Sequence, residues 1–206
     1  MHPQISRRLR SLVLRSIGPS LAAVACLGLA GPVRAGESNL NLVLALGSVT
    51  NGGGAFRGDP LLAADGNFYL ATSAGGANGL GAFMKVTPEG TGTVLYSLTP
   101  GDTEGMTPFA NVIQGTDGDF YGTTYYGGSK SVGTVYKITA AGTYTNLAVF
   151  DNANGGAYYP YTGLVQGSDG AFYGTTLRGG TSDQGTVFRV TPQGSLTVLF
   201  LSLIHI

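Results

Sequence analysis

Gln114-Gly-Thr-Asp-Gly-Asp-Phe-Tyr-Gly-Thr-Thr124 returns almost unchanged as Gln166-Gly-Ser-Asp-Gly-Ala-Phe-Tyr-Gly-Thr-Thr176. A diverged copy, Ala64-Asp-Gly-Asn-Phe-Tyr-Leu-Ala-Thr72, precedes both. The shared Asp-Gly falls at Asp65, Asp117 and Asp169, 52 residues apart each time. Everything around it keeps that period, so the chain is an array of one unit rather than a single irregular domain.

Each unit carries four β-like segments, represented in the middle copy by Ala110–Gln114, Phe120–Thr124, Gly133–Thr139 and Tyr144–Phe150. β-Branched and aromatic residues dominate them, which suits a packed, pleated surface. Asp117-Gly118 and Asp169-Gly170 predict tight type I′ hairpin turns. Pro88-Glu-Gly90, Ala140-Ala-Gly142 and Pro192-Gln-Gly194 predict the turns from third to fourth strand. Four short antiparallel strands in about 50 residues match one β-propeller blade. Lys85, Lys137 and Arg189 share one repeat position. Met84, Tyr136 and Phe188 share the position before it, on the opposite strand face. The predicted fold is all-β: tandem four-stranded antiparallel blades in an incomplete propeller-like ring. Three units are expected, at 58–107, 108–158 and 159–200.

The flanks read differently. Asn41–Leu46 lies one period before Thr93–Leu98, so 36–57 reads as an isolated outer strand and loop. At the other end, 201–206 breaks the repeat with apolar residues and resembles translated adapter sequence rather than native protein. Three units fall short of a ring of about four to eight blades, so the chain is expected to be a C-terminally truncated fragment.

Residues 1–35 have the pattern of a secretory signal peptide. Arg7, Arg8, Arg10 and Arg15 form a basic front, Leu21–Ala30 is apolar, and Val33-Arg34-Ala35 offers a cleavage site. The apolar run is too short for a transmembrane helix, which needs about 20 residues. Cys26, the one cysteine, sits in that run and should leave with it. A lipid-anchored reading needs a cut before Cys26, which Ala23 and Arg15 disfavour. The expected location is extracellular or cell-surface, with the periplasm as the alternative. Formal neutrality hides an asymmetry: five of the 11 basic residues lie in the first 35, leaving six against 11 acidic groups. A mildly acidic surface argues against a nucleic-acid partner.

The pattern Gly-x-Asp-Gly-x-Phe-Tyr-Gly-Thr-Thr, then Gly-Gly, then Gly-Thr-Val-Phe/Tyr-Lys/Arg-Ile/Val-Thr, resembles the GloVer tandem repeat. That repeat typifies the secreted bacterial choice-of-anchor family, whose members are β-propeller-like. The resemblance covers 58–200 and is weaker in the first unit, where Leu70-Ala71 replaces Gly-Thr and Ala82-Phe83-Met84 replaces Thr-Val-Phe/Tyr. It implies extracellular location and a C-terminal anchor in full-length members. It implies no activity.

Little catalytic chemistry is legible. His2 and His205 are the only histidines and lie in the expected signal and tail, so a mature chain has no Ser-His-Asp triad or His-based zinc site. Asp117 is repeated at every unit and reads as a turn residue, while Asp119 becomes Asn67 and Ala171 and reads as a free surface position. Asp151-Asn-Ala-Asn154 lacks the acidic set of a calcium loop. No metal and no cofactor are expected.

The variable connections are more informative. Those from second to third strand (73–80, 125–132, 177–184) and between units (99–108, 151–160) fall at one end of a four-stranded meander. Variable loops on one rim of a rigid scaffold are where binding is expected. The candidate residues are Tyr125, Tyr126, Tyr158, Tyr159, Arg178 and Asp183, because Tyr and Arg anchor sugars and proteins alike. The expected function is a non-enzymatic secreted or cell-surface binding scaffold, for a glycan or a cell-envelope protein. The alternative is a carboxylate-based polysaccharide lyase or glycoside hydrolase.

Overall fold

The computed structural model describes residues 58–101, 104–153 and 156–201, together with two short strands nearer the N-terminus. Those two, β1 (Val24–Ala25) and β2 (Leu44–Ala45), pair antiparallel. The remaining readings on 1–57 and on 202–206 lie outside the described residues.

Three copies of an antiparallel meander follow. Unit one comprises β3 (Leu61–Leu62), β4 (Phe68–Thr72), β5 (Ala82–Val86) and β6 (Gly92–Ser97). In unit two, β7 (Gly105–Met106) precedes the meander of β8 (Ile113–Gln114), β9 (Phe120–Thr124), β11 (Thr134–Ile138) and β12 (Tyr144–Val149). A short β10 (Tyr126–Gly127) between β9 and β11 pairs with β7. Unit three repeats this as β13 (Ala157–Pro160), β14 (Val165–Gln166), β15 (Phe172–Gly179), β16 (Thr186–Val190) and β17 (Leu196–Leu201). Its β15 runs on without a break to pair with both β14 and β13. The fold is therefore all-β and propeller-like, with the ring left open by three units. The first strand of each unit is only two residues long, shorter than the segments 110–114 and 162–166 suggest. Its residue types are right, but only its last two residues reach a pairing partner on the second strand.

The units stack face to face, and the repeat supplies both sides of each seam. Tyr69 stacks on Phe120 across the first seam, and Tyr121 on Phe172 across the second, each with ring centroids 4.0 Å apart. These four rings are essentially solvent-free. Burying an aromatic side chain of this kind contributes about 1.5–3 kcal/mol. Polar contacts repeat as well. The Gln114 side-chain carbonyl accepts the Ala64 N–H, and that of Gln166 accepts the Thr116 N–H, both at 2.9 Å. Each glutamine also donates its amide to a carbonyl of its own turn, at Gly118 or Gly170.

Gly122 and Gly174 are required by their cross-strand neighbours. A Cβ on Gly122 would lie 2.5 Å from the Tyr136 hydroxyl, and one on Gly174 2.6 Å from the Phe188 ring. In unit one the same cross-strand pair is Leu70 and Met84. A glycine under a large ring has become two mid-sized aliphatics, which conserves volume. That exchange accounts for Leu70 where the other units have glycine. Tyr136 keeps an unpartnered hydroxyl in this interior, and burial pushes its ionisation far up.

The hairpin turns differ from the type I′ expectation. Gly118 donates to Gly115 and Gly115 to Asp119, closing a three-residue loop over Thr116, Asp117 and Gly118. Only Gly118 has positive φ (86°); Asp117 does not. Type I′ needs two such residues, so this is the longer hairpin in which one left-handed glycine follows an ordinary turn. Asp117 is present for its side chain and not for its backbone. The turns ending in Gly90, Gly142 and Gly194 use the same device.

Candidate functional site

The two ends of the sheets carry different chemistry. At the hairpin end, every unit builds the same clasp. One oxygen of Asp65, Asp117 or Asp169 accepts the backbone N–H two residues on, at Asn67, Asp119 or Ala171. The other accepts the tyrosine hydroxyl four residues on (Tyr69, Tyr121, Tyr173) and the cation 20 residues on (Lys85, Lys137, Arg189). Partial burial works against ionised Asp65, but the bonds from Asn67, Tyr69 and Lys85 outweigh it and hold the carboxyl down at about 2. Burial and the bond to Asp117 push Tyr121 up to about 12. Asp119 is not the free surface position expected: its carboxylate lies 2.6 Å from Lys137. These clasps join the first turn of a unit to its third strand. Each clasp carboxylate is thereby occupied by a tyrosine and a cation of its own unit.

The opposite end gathers the variable connections. Main-chain bonds from Thr107 N–H to Leu80 O (3.0 Å) and from Tyr159 N–H to Val132 O (2.9 Å) tie each inter-unit segment to the loop of the preceding unit. At the second seam this brings the candidate residues together. Tyr125 and Tyr159 stack at 4.8 Å with planes 11° apart. Tyr126 packs edge-on against both, and Tyr158 meets Tyr159 at 5.1 Å. The Tyr158 hydroxyl donates to Asp183. Asp183 also accepts the Gly179 N–H at 2.9 Å and pairs with Arg178 at 3.3 Å. The bond from Tyr158, then that from Gly179, lower the Asp183 carboxyl below its ordinary value, and the Tyr158–Asp183 bond raises the Tyr158 phenol.

Two further rings belong to the cluster. Phe109 lies 4.9 Å from Tyr125, and Tyr161 lies 6.0 Å from Phe109, edge-on. Phe109 and Tyr161 occupy equivalent positions, each following a proline. The repeat itself was the signal that could have found them: an aromatic retained in both copies inside an otherwise variable segment.

The backbone at this rim is unusual. Thr107, Ser131, Tyr159 and Asp183 all have φ of 55–57°, and they are two repeat pairs, 107 with 159 and 131 with 183. Unit one has a glycine, Gly79, at the third copy of the second position. Left-handed backbone is costly for residues with a Cβ, more so for bulky ones. Tyr159 accepts that cost and thereby lays its ring flat on Tyr125. Burial, followed by the neighbouring phenols, raises the Tyr125 ionisation.

Equivalent positions at the first seam are Ser73, Ala74, Met106 and Thr107, so no tyrosine patch forms there. An apolar cleft lies beneath it, lined among others by Phe83, Tyr96, Leu98 and Tyr144. Glu104 is held nearby by the Tyr96 hydroxyl and the Thr99 N–H. Among the described residues no group of three His, Cys, Asp or Glu side chains could hold a metal ion. Among them, too, no helix is long and apolar enough to cross a membrane.

Residues 35–202 match the Gloeobacter/Verrucomicrobia repeat. No curated protein matches. Among solved structures, the chain is similar to a streptogramin B lyase at 23% identity and a TM-score of 0.46, over 69% of this chain and 39% of that one. It is also similar to a structure described as a candidate gluconolactonase, at 16% identity and a TM-score of 0.48, over 69% of this chain and 48% of that one. The chain thus spans less than half the length of each of these structures.

Proposed function

This chain belongs to the Gloeobacter/Verrucomicrobia repeat family, and we propose that it is an exported, surface-displayed scaffold that binds a cell-envelope or extracellular ligand through the rim of its second seam. The observation that carries this is the contiguous cluster of Phe109, Tyr125, Tyr126, Tyr158, Tyr159 and Tyr161, with Arg178 and Asp183 beside it. Tyrosines of this kind supply large, rigid contact area at small entropic cost. The inter-unit ring stack forms at the same 4.0 Å in the first seam, where these tyrosines have no equivalents, although Tyr158 and Tyr159 also pack on the core of the second.

Binding fits this rim better than catalysis. Glycoside hydrolysis needs two carboxyl groups free to exchange protons across a bond. At this end Asp183 is held ionised by its donors, and both oxygens of Glu104 accept hydrogen bonds. Export rests on the basic front and apolar run of residues 1–35.

Two experiments test the reading. Purified protein should co-sediment with isolated cell-envelope fragments. Tyr126→Ala and Tyr161→Ala should each weaken this, and Lys85→Ala at the far end should not. Equal binding by all three variants overturns the rim. A reporter fused after residue 35 should leave the cytoplasm; retention inside the cell overturns export.

A further inference from the structure

We propose that the tyrosine surface of the second seam takes an uncharged carbohydrate, held by stacking on Tyr126 and Tyr161 and by phenol hydroxyls rather than by charge. This rests on the rim-binding reading above and names its ligand class.

Ring exposure is the first argument. Tyr126 and Tyr161 are 43% and 49% exposed, although each packs an edge against Tyr125. Their planes stand 88° and 78° to that of Tyr125. Tyr125 is itself fixed against Tyr159. The outer rings are thus buttressed from within while still open to solvent. The C–H face of a pyranose is apolar and flat, and an aromatic ring with a polar tip suits it.

The hydroxyls are the second argument. Tyr158 spends its hydroxyl on Asp183. Among the described residues the hydroxyls of Tyr125, Tyr126, Tyr159 and Tyr161 make no hydrogen bond, although their backbones do at Tyr125, Tyr126 and Tyr159. Covering such a group with apolar protein would leave it unsatisfied, at a cost. A polyol can both donate to and accept from every one of them.

Charge is the third. Arg178 and Asp183 answer each other at 3.3 Å, and Asp183 is further tied to Tyr158 and the Gly179 N–H. An acidic ligand would have to draw Arg178 away from this arrangement. An uncharged one leaves it intact, and the clasp then serves to hold the segment carrying Tyr159 and Tyr161 in place. Because the first seam has Ser73, Ala74 and Met106 at the matching positions, the described units carry one such surface.

The full chain has no tryptophan to mask its tyrosine fluorescence, and five of its 11 tyrosines lie in this cluster, so the part of the signal lost in Tyr126→Ala and Tyr161→Ala reports on the surface. It should be titrated, with calorimetry in parallel, against uncharged gluco- and chito-oligosaccharides and against oligogalacturonate. The uncharged sugars should bind with an affinity that does not change from low to high salt. Tyr161→Ala and Tyr126→Ala should each weaken binding about tenfold, with Tyr161→Phe in between because the ring remains. Preference for oligogalacturonate, or loss of binding at high salt, overturns the proposal. Failure of every oligosaccharide to bind, while envelope fragments still bind in a Tyr161-dependent way, overturns the carbohydrate and leaves the rim standing. Envelope binding that ignores both tyrosines removes the rim itself.

Discussion

The hairpin end and the loop end of the same sheets have diverged to different degrees. At the hairpin end, aspartate, tyrosine and a cation meet in the same geometry in all three units. At the loop end the backbone repeats while the side chains change: Gly79, Ser131 and Asp183 share one left-handed position, and Thr107 and Tyr159 share another. What repeats as side chain is what each unit needs in order to fold on its neighbour. What repeats only as backbone is a frame on which one seam has been specialised.

The largest effects should separate these roles. Phe172→Ala removes a ring buried in the second seam and should cost about 3–5 kcal/mol in urea denaturation. Tyr161→Ala, 49% exposed, should cost about 1 kcal/mol or less while weakening binding about tenfold. Equal destabilisation by the two would erase the distinction between stacking and rim.

Next comes the volume exchange inside the sheets. Gly122→Leu alone drives a side chain into the Tyr136 ring and should cost about 3 kcal/mol. Adding Tyr136→Met recreates the Leu70–Met84 pair of unit one and should recover most of it. A double-mutant cycle should yield a coupling above about 1 kcal/mol; strictly additive effects would show that the two units solve the packing in unrelated ways.

A smaller gain is expected at the rim frame. Ser131→Gly copies Gly79 and relieves left-handed backbone, so it should stabilise by about 1 kcal/mol. Asp183→Gly relieves the same backbone but removes the acceptor for Tyr158, Arg178 and Gly179. It should gain less in thermal stability and lose binding, and matching gains without loss of binding would deny Asp183 its holding role.

The mildest effect is the pH response of the hairpin end. Asp65, Asp117 and Asp169 are held below the ordinary carboxyl value near 4, Asp65 at about 2. A depressed carboxyl stabilises the fold above its unfolded value and loses that contribution as pH falls through the folded one. Stability should therefore be flat above about pH 5 and decline from there toward about 2. The decline should be shallow, since these side chains are 42% exposed and screened. Replacing Lys85, Lys137 and Arg189 together by Gln should shrink it; an unchanged acid transition would mean the clasps contribute nothing.

Much of this could be read from the residues. The period of 52 is a repeated hydrophobic pattern, and local strand and turn preferences agree with it in every unit, so fold class, strand order and the shared end of the variable loops followed directly. The rim candidates were legible for the same reason, as departures from a repeat. The clasps were less so. Aspartate, tyrosine and cation are separated by four and 20 residues, and only the hairpin and the next strand bring them within reach. The β7–β10 pair was not legible at all, because two-residue pairing between loops carries no periodicity.

By itself, then, the sequence determined the unit, its three copies and the places where they differ, since hydrophobic period and turn residues act over a few neighbours along the chain. Only the tertiary structure decided that Asp117 serves a tyrosine and a lysine rather than a primed turn. It alone decided that Gly122 makes room for a ring, and that rings from two units, Tyr125 and Tyr159, lie flat on one another. Each of these depends on distances across strands and between stacked sheets, and such distances exist only once the units have packed.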